Sequence, residues 1–474
     1  MIKVYLDWNV MSGMKNNHFQ ELNDIIANKE KFLLLYSTSH IGDIFASIKN
    51  HSDEEQKLIK EDLDYITSLT DDLCLVNNSK EVSLSRYEPG ELLDDRIREA
   101  PIFSNFSLDN LFSSFDEDDS MNGIVSSLKN MLSSMPLDFA FKEALNNPES
   151  AEMLDKMFPG LKDNPTMEGF FQSFGKMFHN LNEKEDYKDL RDMVQQIGVN
   201  SGHYNENKNP FDVIDKAYEK KGLEKFDVDK YFDKTKNAPA WFNDITNEYV
   251  LLDMHGFKAD KVKVTEKEKN TFKNTTEDAS HAAFASKCEF YVTSDDKNFH
   301  KTKAVYQKLN IHTIVLKPNE FIDYYNSFLN IHTFDEHFKL IIELIKRGEN
   351  FQDKFYKNNE QFGWVSYTPQ YFFNFFNRIM VPKPNDDNAL FILGKDNPSD
   401  NYIIAQEEVE ATIKMFSDKL SIDKYGKSNY EVEEIKDNED WIGRSWETNV
   451  GLIEIKRING WFQMYFYPIK EKEI

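Results

Sequence analysis

The chain has 474 residues, more than one ordinary hydrophobic core holds, and domains of roughly 100 to 200 residues predict two or three units. With 40% hydrophobic and 14% aromatic residues, including 38 phenylalanines, it carries enough apolar side chain to fill real cores, which excludes pervasive disorder. A formal charge of -25 excludes a surface that coats nucleic acid by general basicity, so any nucleic acid must lie in a local groove.

Cys74 and Cys288 stand far apart with no paired Cys or His spacing, which supports neither a disulfide framework nor a zinc finger. The opening run MIKVYLDWNV has a carboxylate at position 7 and no long apolar segment, against an ordinary secretory signal. No stretch approaches the roughly 20 apolar residues needed to cross a bilayer. A soluble, cytoplasmic protein without membrane contacts is the expectation.

In chain order, a short apolar strand is predicted over residues 2–6, then a helical pattern through Leu22, Ile25 and Ile26, then a strand over 32–36. Ser37, Thr38 and Ser39 offer N-caps for a helix bearing Ile41, Ile44, Phe45 and Ile48, and a charged amphipathic helix runs on to about Leu69. Residues 91 to about 160 change character: they are acidic and rich in Ser, Phe and Met. The segment SGHYNENKNP reads as a loop, so 91–255 is expected to be a mostly helical insertion. Met167, Phe170, Phe171, Phe174 and Phe178 recur there at helical spacing, read as core, and the acidic stretch from Phe115 to Asp119 reads as a solvated loop.

The strand and helix alternation returns near residue 275. Thr275 or Thr276 would cap a helix bearing Ala279, Ala282, Ala283 and Phe284, followed by strands over 290–293 and 312–316 and a helix opening at Pro318. Alternation of this kind predicts a parallel α/β sheet, with 1–90 and 256–325 as its two halves. From 326 to 474 an α+β domain is expected, with a helix over 334–346 and a terminal hairpin turning at Asn459-Gly460.

The acidic residues fall at telling places in this pattern. Asp7 follows the first strand, and in open parallel sheets ligands gather beyond the carboxyl ends of strands. Asp43 and Asp278 each sit near a predicted helix start, with Glu277 as the competitor of Asp278. Asp295 and Asp296 follow the strand ending at Thr293, Asp295 being the favoured ligand. Alone, each has a plain explanation as a turn or helix-start acid. Together they place carboxylates along one edge of one sheet, where mutual repulsion raises their pKa values unless cations neutralise them, and hard oxygen donors suit Mg²⁺ or Mn²⁺.

YLDWNVMSG, YSTSHIGDIFAS, EDASHAAFA and YVTSDDKNF resemble the successive acidic motifs of PIN-domain nucleases. The resemblance covers about 1–80 and 270–325. It implies a three-layer α/β fold with a mostly parallel sheet and cleavage, usually of RNA, that depends on one or two Mg²⁺ or Mn²⁺ ions. By motif, Asp7, Asp43, Asp278 and Asp295 would be ligands, Asn9 a positioning residue and Thr293 a hydrogen-bonding partner near the metals. Two features depart from the family pattern: Trp8 is bulky where a small residue is common, and the long insertion must remodel the mouth of the site.

His40 and His281 stand three residues from Asp43 and Asp278 and read as hydrogen-bonding partners of the carboxylates rather than as ligands. Lysines are frequent from 258 to 308, and Lys297, His300 and Lys301, just after Asp295, are the best placed to track phosphates. An RNA endonuclease is the leading expectation. A PIN-like scaffold binding a protein partner through the insertion or C-terminal domain, and a phosphoesterase acting on nucleotides, stand as alternatives.

Overall fold

The computed structural model describes residues 1–49, 52–104, 181–182, 186–205, 208–222, 238–264, 269–348, 351, 353–357, 360–384, 389–396, 398, 402–431, 434 and 441–469. The residues around Phe115 to Asp119, the stripe from Met167 to Phe178, and Lys267 lie outside them. The chain divides into two compact units, one of Val4–Phe19 and Leu34–Pro318, the other of Met1–Lys3, Gln20–Leu33 and Asn319–Ile474.

The chain opens with β1 (Ile2–Leu6), α1 (Trp8–Lys15), α2 (Gln20–Ile26), β2 (Phe32–Ser37), α3 (Thr38–Ser47), α4 (Asp53–Thr70), β3 (Leu73–Asn77), β4 (Val82–Arg86) and α5 (Pro89–Ser104). After it come α6 (Asp186–Val194), α7 (Pro210–Lys221), α8 (Ala240–Met254), the short β5 (Lys263–Val264) and β6 (Lys269–Asn270), α9 (Phe272–Ala285), β7 (Phe290–Val292), α10 (Asp296–Leu309) and β8 (Ile314–Leu316). Six strands form one sheet in the order β4-β3-β2-β1-β7-β8. β1 pairs with β7, β7 with β8, and β2 with β3, all parallel, while β4 lies antiparallel on β3. The sheet is therefore mixed and mostly parallel, in an α/β arrangement.

Strand composition explains the order. IKVYL, FLLLYS and FYV are buried at every position, as strands covered on both faces must be, and they occupy the interior of the sheet. VSLSR of β4 buries only Leu84 and takes an edge; its polar alternation gave no apolar run to detect. The pairing sets Leu6 opposite Val292, so the residues that follow, Asp7 and Thr293, emerge side by side.

One helix start differs from the sequence expectation. Thr271 caps α9 with Asn274 completing a capping box, so the helix begins at Phe272, before Thr275 and Thr276. Phe272 is buried and continues the stripe of Thr275, Thr276 and Ala279, which draws the helix back by about a turn. Asp278 consequently lies in the second turn rather than at the helix start. Asp43 is likewise in the second turn of α3, which starts at Thr38 behind the cap Ser37. Helix-dipole support fades beyond the first turn, so neither carboxylate receives it fully.

Of the inserted helices, α8 is buried almost all round, from Phe242 and Ile245 to Tyr249, Leu252 and Met254, and packs along α9 and α10. It is a core helix of the unit that holds the carboxylates.

The second unit contains α11 (Pro318–Tyr324), a π-helical turn, α12 (Phe334–Arg347), β9 (Asp353–Lys357), β10 (Glu360–Phe372), β11 (Phe376–Pro382), β12 (Phe391–Gly394), α13 (Tyr402–Leu420), β13 (Trp441–Glu447), β14 (Gly451–Ile458) and β15 (Trp461–Pro468). Its seven strands run antiparallel in the order β13-β14-β15-β12-β11-β10-β9. Phe334, Phe338 and Phe416 of its helices pack with Phe373, Phe391 and Phe466 into one aromatic core. Asn459 and Gly460 both take positive φ, 52° and 81°, and Ile458 faces Trp461 across the expected two-residue turn. Among the described residues no helix is long and apolar enough to cross a membrane.

Candidate metal centre

Asp7 is buried at the junction of β1 and α1, at the N-cap position of α1, yet its side chain makes no capping bond. Four side chains converge instead on its Oδ2: Thr293 Oγ1 donates at 2.7 Å, Asn9 Nδ2 at 2.9 Å, Asn298 Nδ2 at 3.3 Å and the Tyr291 hydroxyl at 3.4 Å. No described residue hydrogen-bonds its other oxygen. Asn9 also accepts from the backbone and hydroxyl of Ser294 at 3.1 and 2.8 Å, clipping the ends of β1 and β7 together. A turn aspartate would bond local backbone amides; this one is held by the neighbouring strand and the helix that follows it.

Asp43 is half-buried and accepts from His281 Nε2 at 3.0 Å. Burial raises the Asp43 carboxyl, and the nearby carboxylates of Asp7 and Glu277 add to this against the opposing pull of His281. Burial works to lower His281, but the Asp43 carboxylate outweighs it and takes the imidazole up to about 9. As a cation, His281 donates from both nitrogens, to Asp43 and, at 2.7 Å, to the Tyr5 hydroxyl, which bonds Ser37 Oγ at 2.6 Å. His40 completes the layer as a neutral ring, lowered first by burial and then by the His281 charge; it donates to Leu6 O at 2.8 Å and accepts from Ser37 N at 3.0 Å. His40 is thus fully used in holding β1 to the start of α3.

One ligand atom each from Asp7, Asp43 and His281 lies within 4.8 Å of the other two. The donor set fits a divalent ion in kind: two carboxylates, each with an oxygen that no described residue hydrogen-bonds, and one imidazole. His281, expected beside the carboxylates as a hydrogen-bonding partner, plays that role and also presents Nε2 to the centre. That nitrogen becomes a donor to a metal once its proton leaves, with Nδ1–H remaining on Tyr5.

Asp278 belongs to the same electrostatic field. Burial pushes its carboxyl well up, Lys301 opposes, and Asp7, Asp260 and Asp295 add to the rise. None of the described residues hydrogen-bonds it. Its competitor Glu277 pairs with Arg96 of α5 and lies against Gly42, where a Cβ would meet the Glu277 carboxylate at 2.5 Å. Glu277 is therefore tied to a partner while Asp278 is not.

Asp295 is exposed and caps α10, accepting from the amides of Lys297 and Asn298, both at 2.7 Å through one oxygen. It stands outside the compact triad. Asp296, expected as an additional ligand, is instead exposed beside two cations, Lys317 at 3.1 Å and Lys258 at 3.8 Å, and the His300 ring at 3.6 Å. The Lys317 bond holds its carboxyl below the usual range against a small burial effect.

The expected phosphate-tracking residues also divide. Lys301 is fully buried, 3.0 Å from Asp253 and 3.7 Å from Asp260, because α8 lies against α10 and supplies a buried acid to meet it. Burial raises Asp253, but Lys301 and Arg191 outweigh it and hold the carboxyl below its usual range. Lys301 is an internal counter-ion and cannot meet substrate. Lys297, part-exposed, pairs with Asp260 at 2.6 Å, and His300 alone of the three lines the large cavity described below.

Sequence reasoning did not single out Tyr5, Tyr291, Asn298 or Asp260. Polar Asn298 on the buried side of α10, bonded to Asp7, Tyr291, Thr302 and Tyr249, was the one detectable signal, since a buried amide needs a reason to be there. No protein-family model, no curated protein and no solved structure matches this chain.

Proposed function

We propose that the chain is a divalent-metal-dependent endonuclease acting on RNA, built on a PIN-like three-layer core. The observation that carries this reading is the asymmetry at Asp7: four donors hold one oxygen and no described residue bonds the other, in a carboxylate that has a ligand atom within 4.8 Å of those of Asp43 and His281. Structural carboxylates are satisfied all round; one satisfied on a single side is oriented for something else.

Asp7 and Asp43 would hold Mg²⁺ or Mn²⁺, with Asp278 and Asp295 supplying further negative charge. When bound, such an ion supplies Lewis acidity to a phosphoryl oxygen and lowers the pKa of a water. The chain's own part is positional. Thr293, Asn9 and Asn298 fix the angle of Asp7, and His281 fixes Asp43 and carries a proton at Nε2 that can be surrendered there. The Tyr5 and Ser37 hydroxyls hold the imidazole plane from behind. Service in stress response or defence, within the cytoplasm, is the context we infer from the toxin-like members of the family the motifs resemble.

The deciding experiment incubates the protein with RNA, single-stranded DNA and duplex DNA, each with Mn²⁺, Mg²⁺ or chelator, beside Asp7→Asn and Asp43→Asn. RNA cleavage that needs the ion and falls on the order of 10³-fold in either variant is expected, since several kcal/mol of charge stabilisation are removed. If wild type and variants are equally inert on all three substrates, the reading fails.

A further inference from the structure

In a chain of formal charge -25, one cavity is basic. It measures about 1300 Å³ and is lined by Lys188, Arg191, Lys208, Lys258, Lys261 and Lys303 against only Asp192 and Asp260, a surplus of four cations. Arg191 and Asp260 are engaged in the buried ionic layer with Asp253 and Lys297, whereas Lys188, Lys208, Lys261 and Lys303 pair with no carboxylate among the described residues. The positive field is felt locally: His300 is lowered by burial and then by the charge of Lys258, with Lys317 and Lys303 adding to it despite Asp296.

The same cavity carries aromatic faces. Tyr204 and Phe257 meet edge to face at 5.1 Å, while Phe299 is buried with Lys303 Nζ 4.6 Å and Lys317 Nζ 5.1 Å from its ring centroid. Rings interleaved with unpaired lysines are what successive bases and phosphates of an unpaired strand require. The volume exceeds the ~300–1,000 Å³ of pockets that enclose one small ligand.

Two connections tie the cavity to the carboxylate edge. Asp260 lines the cavity and also bears on the titration of Asp278. Helix α10 serves both: its N-cap Asp295 and Asn298 face the carboxylates, while Phe299, His300 and Lys303 face the cavity, with Lys303 roughly 12 Å along the axis from Asp295 at 1.5 Å per residue.

We propose that this cavity, built by α6, the loops before α7 and after α8 and part of α10, holds single-stranded nucleic acid by phosphate contacts to Lys208, Lys258, Lys261 and Lys303 and by base stacking on Tyr204. The holding site stands on the lining residues alone; that the adjoining phosphodiester reaches the carboxylate edge rests on the nuclease reading. The insertion on this view supplies Tyr204 and Lys208 to a strand-gripping surface that it shares with the segment after α8 and with α10.

The test is equilibrium binding of a fluorescent single-stranded RNA oligonucleotide to the full chain in EDTA, where no cleavage intervenes. Lys261→Ala/Lys303→Ala should bind at least tenfold more weakly, with a salt dependence shallower by roughly 0.7 per lost phosphate contact. Tyr204→Ala should lose roughly tenfold and Tyr204→Phe should not, because stacking needs the ring and not the hydroxyl. Lys261→Arg/Lys303→Arg should restore binding, and exposed Lys346→Ala, in the other unit, should leave it unchanged. The proposal is overturned if wild type does not bind in EDTA, if the double alanine variant binds like wild type, or if a duplex of the same sequence competes as well as the single strand. Asp7→Asn distinguishes the two claims: it should keep full binding in EDTA, so loss of the nuclease reading alone would leave strand binding intact.

Discussion

Two regions of this protein bury charge in opposite ways. In the C-terminal unit, Lys395 meets Glu408 and Arg444 meets Glu434 with both oxygens bonded, so these two buried cations each have a counter-ion. At the carboxyl edge of the mostly parallel sheet, Asp7, Asp43 and Asp278 gather with one imidazolium and one distant lysine between them, and burial raises Asp43 and Asp278. Paired charge is architecture; accumulated charge of one sign that the fold leaves under-compensated is what motivates the proposed cation site. The buried Lys301–Asp253–Arg191 layer beneath the site belongs to the first kind, which is why proximity to the carboxylates alone misassigned Lys301.

That contrast can be broken by substitution. The largest effect is expected in the C-terminal unit: Glu408→Gln strands Lys395 in the interior and should cost about 3–5 kcal/mol of that unit's stability in denaturant unfolding, while Lys395→Met/Glu408→Leu together should recover most of it. Next, Mn²⁺ at a hundredfold its dissociation constant should raise the stability of the carboxylate unit by about 2.7 kcal/mol, a shift absent in Asp7→Asn. An equal shift in Asp7→Asn would move the metal elsewhere.

A smaller change of opposite sign should follow Asp278→Asn. In chelator at pH 8 the variant should be more stable than wild type by about 1 kcal/mol, because folding brings the Asp278 carboxyl into surroundings where burial and three neighbouring carboxylates disfavour its ionised form. Destabilisation by that change would make Asp278 a structural acid like Glu408 and erase the distinction.

The smallest effect is confined to acid. His337 is held neutral by burial and then by the Lys31 charge, down at about 3, and its Nδ1 accepts from Phe373 N at 3.3 Å. Between its ordinary 6.5 and about 3 the unfolded chain binds a proton that the folded one does not, so stability should fall as pH drops through that window. Glu434, lowered to about 2 by its Arg444 bond, contributes stability above its ordinary 4.5 that is lost as pH falls toward 2. His337→Gln, which retains an acceptor, should flatten the upper part of this acid profile in unfolding experiments; an unchanged profile would refute the assignment.

Much of this was legible in one dimension because the forces involved are local. Largely apolar IKVYL and wholly apolar FYV announce interior strands, Ser37 announces the start of α3, and Asn459-Gly460 announces a turn whose two positive φ values few other pairs tolerate. Asp7 followed from the first of these, since a carboxylate just beyond an interior strand must emerge at the sheet's edge. The start of α9 was misplaced because Thr275 and Thr276 look like caps; burial of Phe272 took precedence over that local preference.

What the linear order could not decide was which acids would be satisfied. Asp295 has the spacing of a ligand and the amides of its own helix claim one of its oxygens; Lys301 has the spacing of a phosphate contact and Asp253, 48 positions away, claims it. His281 meets Asp43 across 238 positions and Tyr5 across 276. Periodicity and capping act over a few residues and can be read from neighbours, whereas a charge is neutralised by whatever the packed helices bring within a few ångströms. The sequence alone therefore determined the interior strands β1, β2 and β7 and the edge on which Asp7 stands, and only the tertiary structure decided which of the acids along that edge were left with an oxygen to offer.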